Sequence, residues 1–311
     1  MTHFLLRSAI LILALTAFPE GQAQTPAEPD YSTGFSPLFD GRTLAGWHTA
    51  PRIGVPKTAS EALAPAATPA SKGAIATAQA SAQGRWEVQD GVVVGGQDEK
   101  RMVNKQDGAS WGLGSWLMSD ATFGDFELQV DARPDWPCDT GIYVRCTELG
   151  QGFQILLDHR GDDTGHVGGG IGFLFLRGLG GLLVNPHNFR WTVGEDGRPT
   201  EVKFVPATDG ITKLEYAATE EEFRRAWRLN DWNTFRIRVV GALPRITVWI
   251  NDVKISECDT AAIEHPDYHP AEVQQLLGTR GHIAFEVHDG PTWRWGEGKV
   301  SRWRNIRIKE L

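Results

Sequence analysis

The chain has 311 residues and a formal net charge of −8. This acidic balance argues against a nucleic-acid-binding role, because nucleic acids select basic surfaces. Three cysteines are too few for a disulfide scaffold, although they leave one bridge open in an oxidising compartment.

The N-terminus has the three-part layout of a secretory signal peptide. Arg7 lies in a short polar start, an apolar run follows from Ser8 to Phe18, and small residues precede a cleavage point after Ala23. A membrane anchor needs about 20 apolar residues, so this run is too short to span a bilayer. We therefore expect residues 1–23 to be removed. The remaining domain, 34–311, is expected to act in the periplasm or outside the cell, without a membrane span.

An Ala-, Pro-, Thr- and Ser-rich stretch occupies about 50–83 and shows no hydrophobic period. Such a composition buries too little apolar surface to order itself. Strand-like sequence lies on both sides of it, so the stretch predicts a mobile insertion within a single domain.

Alternation of apolar and polar residues dominates the rest of the chain and predicts half-buried β-strands. The clearest runs are Asp125–Arg133, Gly141–Cys146, Gly152–His159, Phe235–Val240, Arg245–Asn251 and His282–His288. Two short helices are also expected. One follows the capping box of Thr219 and Glu222, and the other lies within Ala271–Leu277. Many strands with few helices predict an all-β sandwich or jelly roll of two antiparallel sheets.

Polar residues on the non-core faces of these strands form the candidate site. Glu286 and His288 are two residues apart and so share one face. If the strands adjoin, then carboxylate, imidazole and guanidinium groups meet on one sheet face. The alternative is an ordinary solvated outer face. The other candidates on these strands are Glu127, Tyr143, Arg145, Gln154, Asp158 and His159.

Other catalytic motifs are not supported by their context. The Gly-rich run Gly165–Gly172 is not followed by an amphipathic helix, which a dinucleotide-binding fingerprint requires, so it indicates a turn. The sequence contains no His-Glu-x-x-His zinc helix.

Several short motifs, taken in order, resemble the 3-keto-disaccharide hydrolase domain family. They extend from about Phe35 to the C-terminus and are interrupted by the Ala-rich stretch. They are FSPLFDGRTLAGW (35–47), WEVQDG (86–91), DFEL (125–128), DTGIYVR (139–145), NDWN (230–233), WIN (249–251) and WRNIRIKEL (303–311).

The resemblance implies a concanavalin-like jelly roll that acts on sugars oxidised at carbon 3, with its site on the concave sheet. By the family's pattern, Arg145, the strand that ends at Asp158 and a terminal "Q-x-H" pair lie in the site. This sequence departs twice. The family's glutamate is missing from this strand, where Gln154 stands in either for it or for the family's glutamine, and Glu286 replaces the glutamine of the terminal pair.

The leading hypothesis is cleavage of a 3-keto-glycoside by elimination followed by addition of water. A ketone at carbon 3 acidifies the carbon-2 proton, so the reaction needs a base, an enolate stabiliser and an acid. His288 is the candidate base, with Glu286 as its partner or alternative, and Arg145 would bind the ketone oxygen. Asp158 with His159 would assist the leaving group or hold a divalent metal ion, and metal dependence stays open. The candidate substrate-binding residues are Arg145, Gln154, Glu127 and Tyr143.

Two alternatives remain. The same scaffold could serve as a non-catalytic carbohydrate-binding module, because fold alone does not fix function. The Ala/Pro-rich stretch would also suit a structural or partner-binding envelope protein. If the enzyme hypothesis holds, an oxidising enzyme outside the cytoplasm is expected to supply the keto-sugar.

Overall fold

The computed structural model of the protein describes residues 34–64, 84–98, 114–158, 170–207, 210–289 and 294–311. The predicted signal peptide and the later part of the predicted insertion, 65–83, lie outside these residues. No helix in the described ranges is long and apolar enough to cross a membrane.

The described residues form mainly β-strands. The strands are β1 Ser36–Pro37, β2 Trp47–Pro51, β3 Arg85–Gln89, β4 Val92–Gly96, β5 Ser115–Ser119, β6 Phe126–Pro134, β7 Asp139–Cys146, β8 Gly152–Asp158, β9 Gly170–Arg177, β10 Leu182–Val184, β11 His187–Val193, β12 Pro199–Pro206, β13 Tyr216–Ala217, β14 Asn233–Val240, β15 Arg245–Ile250, β16 Val253–Asp259, β17 His282–Val287 and β18 Val300–Glu310. The helices are α1 Ala59–Leu63, α2 Glu220–Ala226 and α3 Pro270–Leu277, with a 3-10 turn at Thr260–Ala262.

Two large antiparallel sheets organise the strands. The nine-stranded sheet has the order β13-β16-β15-β14-β6-β18-β4-β3, with β1 paired to β18. The seven-stranded sheet has the order β10-β9-β8-β7-β17-β5-β2, and β11 pairs with β12 as a separate hairpin. This architecture confirms the predicted jelly-roll β-sandwich of two antiparallel sheets with few short helices.

The core lies between the two sheets, and aromatic stacking fixes the orientation of β17 within it. The Phe285 ring stacks on Trp303 of β18 at 5.1 Å and on Trp47 of β2 at 5.4 Å between centroids. All three side chains are buried. Because successive side chains of a strand point to opposite faces, Glu286 must lie on the other face of the seven-stranded sheet. We call this the outer face.

Both predicted helices are present. The Thr219 side chain accepts a hydrogen bond from the Glu222 backbone N–H, and the Glu222 carboxylate accepts one from the Thr219 backbone N–H. This is the predicted capping box, and it begins α2. Helix α3 covers the second predicted segment.

The structure differs from the predicted insertion over residues 50–64. Strand β2 runs to Pro51, and a capping box between Thr58 and Glu61 begins α1. The Ser60 hydroxyl donates to the Glu272 carboxylate of α3, which ties this helix to the domain. Five helical residues are too few to display a hydrophobic period, so the composition of the stretch hid the helix.

A bulge in β7 corrects the predicted orientation of Arg145. Its backbone φ is +51°, and the register between β7 and β17 shifts beside it. A bulge breaks the alternation of faces, so Cys146 rather than Arg145 lies with Tyr143 on the outer face. The guanidinium group of Arg145 instead donates to the carbonyl oxygens of Gly124 at 2.8 Å and Gly241 at 2.9 Å.

Arg145 is therefore expected to stabilise the fold. Arg145→Ala should lower the free energy of unfolding by about 2 kcal/mol, because the two carbonyl oxygens lose a charged donor. The matched control is Arg238→Ala, which removes a 44% exposed side chain with one ion pair to Glu127 and should cost less than about 1 kcal/mol. Urea unfolding of both variants measures the difference, and equal small losses would contradict this role.

Candidate functional site

Three side chains from adjoining strands form a hydrogen-bonded row on the outer face. Strand β7 lies between β8 and β17, which brings Tyr143 beside Gln154 and Gln154 within reach of Glu286. The Tyr143 hydroxyl donates to Gln154 Oε1 at 2.7 Å, and Gln154 Nε2 donates to Glu286 Oε2 at 2.8 Å. All three are buried. The two residues that depart from the family's pattern, Gln154 and Glu286, thus form one amide–carboxylate pair.

Arg52, in the segment that follows β2, is the hub of the cluster. Its Nε donates to Glu286 Oε1 at 2.6 Å, and its Nη1 pairs with the Asp289 carboxylate. Its Nη2 lies 2.8 Å from His288 Nε2. Burial works against the charge of the 12% exposed side chain, but Glu286 and Asp289 outweigh burial and raise the pKa of Arg52 above its ordinary value.

The two carboxyl groups that bind Arg52 are themselves perturbed. Burial raises the pKa of Glu286 to about 7, while Arg52 acts in the opposite direction and Asp139 adds to the rise. Burial likewise raises the pKa of Asp289, again against the effect of Arg52. Glu286 therefore changes its protonation state near neutral pH.

The contacts of His288 fix its tautomer. Its Nε2 faces guanidinium nitrogens of Arg52 at 2.8 Å and of Arg294 at 2.7 Å. A guanidinium group only donates, so Nε2 must accept and carries the lone pair. The proton is then on Nδ1, which faces the backbone carbonyl oxygen of Asp289. Asp139 Oδ2 lies 3.5 Å from Nε2, where it would stabilise the charge if His288 took up a proton.

A cleft of about 530 Å³ opens over this cluster. Its volume falls within the usual range for small-molecule sites, roughly 300–1,000 Å³. The described residues that line it are Arg52, Lys57, Asp139, Gln154, Leu156, Phe175, Gly181, Leu182, Leu183, Gly210, His265, Asp267, His288 and Arg294.

Trp116 on β5 is the register partner of Glu286 and packs beside the cluster. Its ring lies 5.8 Å from the Arg52 guanidinium and 5.1 Å from that of Arg177, with Tyr143 edge-on at 4.5 Å. Gly150 packs over the indole so closely that an added Cβ would lie 2.7 Å from the ring. The Gly150 carbonyl oxygen also accepts from Arg177 at 3.1 Å, so the β7–β8 loop holds this arginine over the tryptophan.

A second polar cluster anchors the same loop. The carboxylate of Glu148 contacts His48 Nε2 at 3.2 Å and His282 Nε2 at 2.9 Å. The Nδ1 of His48 lies 2.7 Å from Asp120, and that of His282 lies 2.7 Å from the Ser119 carbonyl oxygen. These contacts fix the loop that carries Gly150, and they lie outside the cleft.

The structure brings some of the predicted site residues together and separates others. Tyr143, Gln154, Glu286 and His288 all belong to the cluster. Asp158 is buried and is the register partner of Asp139 across β7 and β8, whereas His159 lies outside the described residues.

Two predicted residues lie elsewhere. Arg145 is turned away by its bulge, as described above. Glu127 lies on β6 of the nine-stranded sheet, where it accepts from Arg238 at 2.6 Å. The alternation placed Glu127 on a polar face correctly, but it does not specify which of the two sheets a strand joins.

The sequence predictions missed four residues of the cluster. Arg52 lies in the Ala/Pro-rich stretch, which was predicted to be a mobile insertion. Asp289 lies where the sequence predicted only a turn. Asp139 opens the DTGIYVR motif, two residues before the predicted strand, and Arg294 follows a turn with no periodic pattern. The position of Asp139 at the start of the DTGIYVR motif could have identified it as a site residue. The sequence around Arg52 contains no pattern that indicates such a role.

The described residues bear on two expectations from the sequence, a metal ion and a disulfide bridge. No group of three or more His, Cys, Asp or Glu side chains within them is arranged to hold a metal ion. The predicted ion at Asp158 and His159 stays a prediction, because His159 lies outside those residues. Cys138, Cys146 and Cys258 are free and buried, so the bridge left open by the sequence is not formed.

The amide–carboxylate pair gives a double-substitution test. Gln154→Glu places a second carboxylate in contact with Glu286, so the free energy of unfolding at pH 8 should fall by about 3 kcal/mol. At pH 5 the loss should shrink, because the raised pKa of Glu286 leaves that carboxyl protonated and able to donate. Gln154→Glu with Glu286→Gln restores one amide and one carboxylate but takes the carboxylate away from Arg52. It should therefore recover only part of the stability lost in Gln154→Glu.

The control is Glu286→Gln alone, which keeps an amide-to-amide hydrogen bond at this position. Chemical denaturation at the two pH values measures all four proteins. Strictly additive losses in the double variant would show that residues 154 and 286 do not act as a pair.

Three of the solved structures that resemble this chain illustrate how distant the likeness is. Two provisionally named glycosyl hydrolases from Parabacteroides distasonis ATCC 8503 match with TM-scores of 0.43 and 0.42 at 14% and 18% identity. The matches cover 89% and 73% of this chain, and 94% and 90% of theirs. The carbohydrate binding module CBM66 from Bacillus subtilis matches at a TM-score of 0.37 and 11% identity, over 73% of this chain and 92% of that module. Comparison with curated proteins gave no match.

A family profile gives the decisive comparison. The profile of the 3-keto-alpha-glucoside-1,2-lyase-like domain matches residues 34–309, nearly the whole described part of the chain. This confirms the resemblance that the ordered motifs indicated. The chain belongs to the 3-keto-alpha-glucoside-1,2-lyase-like domain family.

Proposed function

We propose that the chain cleaves glycosides whose sugar is oxidised at carbon 3, by elimination across carbons 1 and 2 followed by addition of water. Membership of the family supports a carbohydrate-related function. The observation that carries the finer proposal is the position of His288 Nε2 at the cleft, in contact with two guanidinium groups.

His288 acts as the base. A ketone at carbon 3 makes the carbon-2 proton acidic, so an imidazole can remove it. The electron pair of the C–H bond forms the enolate and then the double bond between carbons 1 and 2, as the carbon-1 substituent leaves with its bonding pair. Asp139, 3.5 Å from Nε2, stabilises the imidazolium that results.

Arg294 stabilises the enolate oxygen. It is 29% exposed and lines the cleft, whereas Arg52 is largely buried and engaged by Glu286 and Asp289. When substrate binds, the donor that Arg294 gives to His288 Nε2 moves to the ketone oxygen. This exchange removes one of the two donors from Nε2, and the base acts once Arg52 Nη2 also releases the lone pair. The exchange places a positive charge where negative charge develops.

Arg52 and Glu286 position these groups. Arg52 holds His288 from one side, and Glu286 holds Arg52 while it accepts from Gln154. The predicted role of Glu286 as partner of His288 is therefore exerted through Arg52. Asp158 with His159 stays the proposed source of the proton for the leaving group, with or without a metal ion.

Export remains part of the proposal. The signal-like N-terminus supports action in the periplasm or outside the cell, where a sugar 3-oxidising enzyme would have to supply the substrate. N-terminal sequencing of the protein recovered outside the cytoplasm tests the predicted export and cleavage, with Gln24 as the expected first residue.

A substrate comparison tests the reaction itself. The purified protein should release the aglycone from a 3-keto-glucoside but not from the same glucoside before oxidation, because only the ketone acidifies the carbon-2 proton. Release is measured against a protein-free control, since keto-glycosides also eliminate spontaneously. Binding of both forms without turnover would favour the alternative, a non-catalytic carbohydrate-binding module. Repeating the assay after metal removal and re-addition tests the predicted ion.

Substitutions at the cluster test the assignments. His288→Ala and Arg294→Ala should each lower kcat/KM at least about 10²-fold, through loss of the base and of the enolate donor respectively. The control is His269→Ala, an exposed histidine at the start of α3 outside the cleft lining. A fully active His288→Ala protein would reject His288 as the base.

A further inference from the structure

Polarity changes sharply along one row of the outer face. Tyr143, Gln154, Phe175 and Leu183 are successive register partners on β7, β8, β9 and β10. The first two belong to the hydrogen-bonded cluster, and the last two are apolar. Adjacent strands lie about 4.8 Å apart, so the row spans roughly 14 Å. This is long enough for a sugar ring and one further ring side by side.

The apolar end of the row forms part of the cleft floor. Leu156 and Leu182 are buried, while Phe175 and Leu183 are half-buried and line the cleft. Apolar surface facing a cleft is stabilised when an apolar ligand covers it. Leu182, by contrast, belongs to the core between the sheets. We call Leu156, Phe175 and Leu183 the apolar strip.

The cluster directs the substrate toward this strip. Carbon 2 must lie at His288 and the ketone oxygen at Arg294 for the proposed elimination. Behind them, Glu286 and Asp289 are buried and bound to Arg52, so that side is filled. Among the described lining residues, the cleft continues instead toward β10, and the carbon-1 substituent has room there.

Polar groups near the apolar strip lie at the rim. The Lys57 ammonium binds the Asp267 carboxylate at 2.7 Å, and the lysine side chain is 59% exposed. A second sugar would place several hydroxyls over the apolar strip, whose three side chains supply no donors or acceptors. An aromatic ring needs none.

We propose that the leaving group of this chain's substrate is an aromatic or similarly apolar aglycone, bound over the apolar strip. This inference rests on the proposed function and deepens it. The geometry that carries it is the change along the register row from Tyr143 and Gln154 to Phe175 and Leu183, within one cleft.

Two substrates with the same 3-keto-glucosyl group test this inference, one carrying a phenolic aglycone and one carrying a second glucose. Leu183→Gln and Phe175→Gln should each raise KM for the aryl substrate about 10-fold or more, and for the disaccharide less than about 2-fold. Each variant is compared with wild type on the same substrate, so differences in leaving-group reactivity cancel. The control is Leu276→Gln, at a half-buried leucine of α3 outside the cleft lining.

The outcomes separate the two proposals. A wild-type protein that cleaves neither keto-glycoside refutes the proposed function, and this inference falls with it. Turnover of both substrates with equal effects, or no effect, of the strip substitutions keeps the proposed function and overturns the inference. A larger effect on the disaccharide assigns the strip to a second sugar and also overturns it.

Discussion

The buried guanidinium group of Arg52 is the constraint on which the site depends. A charge removed from water is tolerated only when it is paired and fully hydrogen-bonded. Arg52 meets this condition through Glu286 and Asp289, and it also donates to His288. These contacts tie the segment after β2 to the end of β17. Removal of either carboxylate would leave the buried guanidinium with one ion pair in place of two, so the cluster is expected to hold together as a unit.

The sandwich supplies the surroundings that this pairing needs. Stacking of Phe285 between Trp47 and Trp303 turns Glu286 outward, and burial under the cleft then raises the pKa of its carboxyl to about 7. A carboxyl group with a pKa near neutrality next to a fixed positive charge is a supporting element, because it can change its charge when the proposed base, His288, does. The groups that face the cleft, His288 and Arg294, are left to act on a ligand.

Sequence reasoning could predict what repeats along the chain. Alternation located the strands and the shared face of Glu286 and His288, and the capping box located α2. It could not predict on which face of the sheet the Arg145 side chain lies, because Arg145 is itself a bulge residue with φ +51°, which breaks the alternation. It could not predict Arg52 either, since a single arginine in an irregular segment has no period, and only the folded sheet brings it to residues more than 230 positions away.

The two departures from the family's pattern, at Gln154 and Glu286, have to be considered together because the two side chains are in contact. Considered singly, an amide at 154 and a carboxylate at 286 each remove a group that the resemblance implies. In the structure, Gln154 Nε2 donates to Glu286 Oε2, so one amide and one carboxylate remain and the negative charge lies on the strand nearer Arg52. The ion pair with Arg52 lies there, whereas Gln154, an uncharged amide, lies at the point where the cleft floor changes from polar to apolar. A neutral residue at that boundary costs less to cover with an apolar group than a carboxylate would, which agrees with an aglycone lying across β8 and β9.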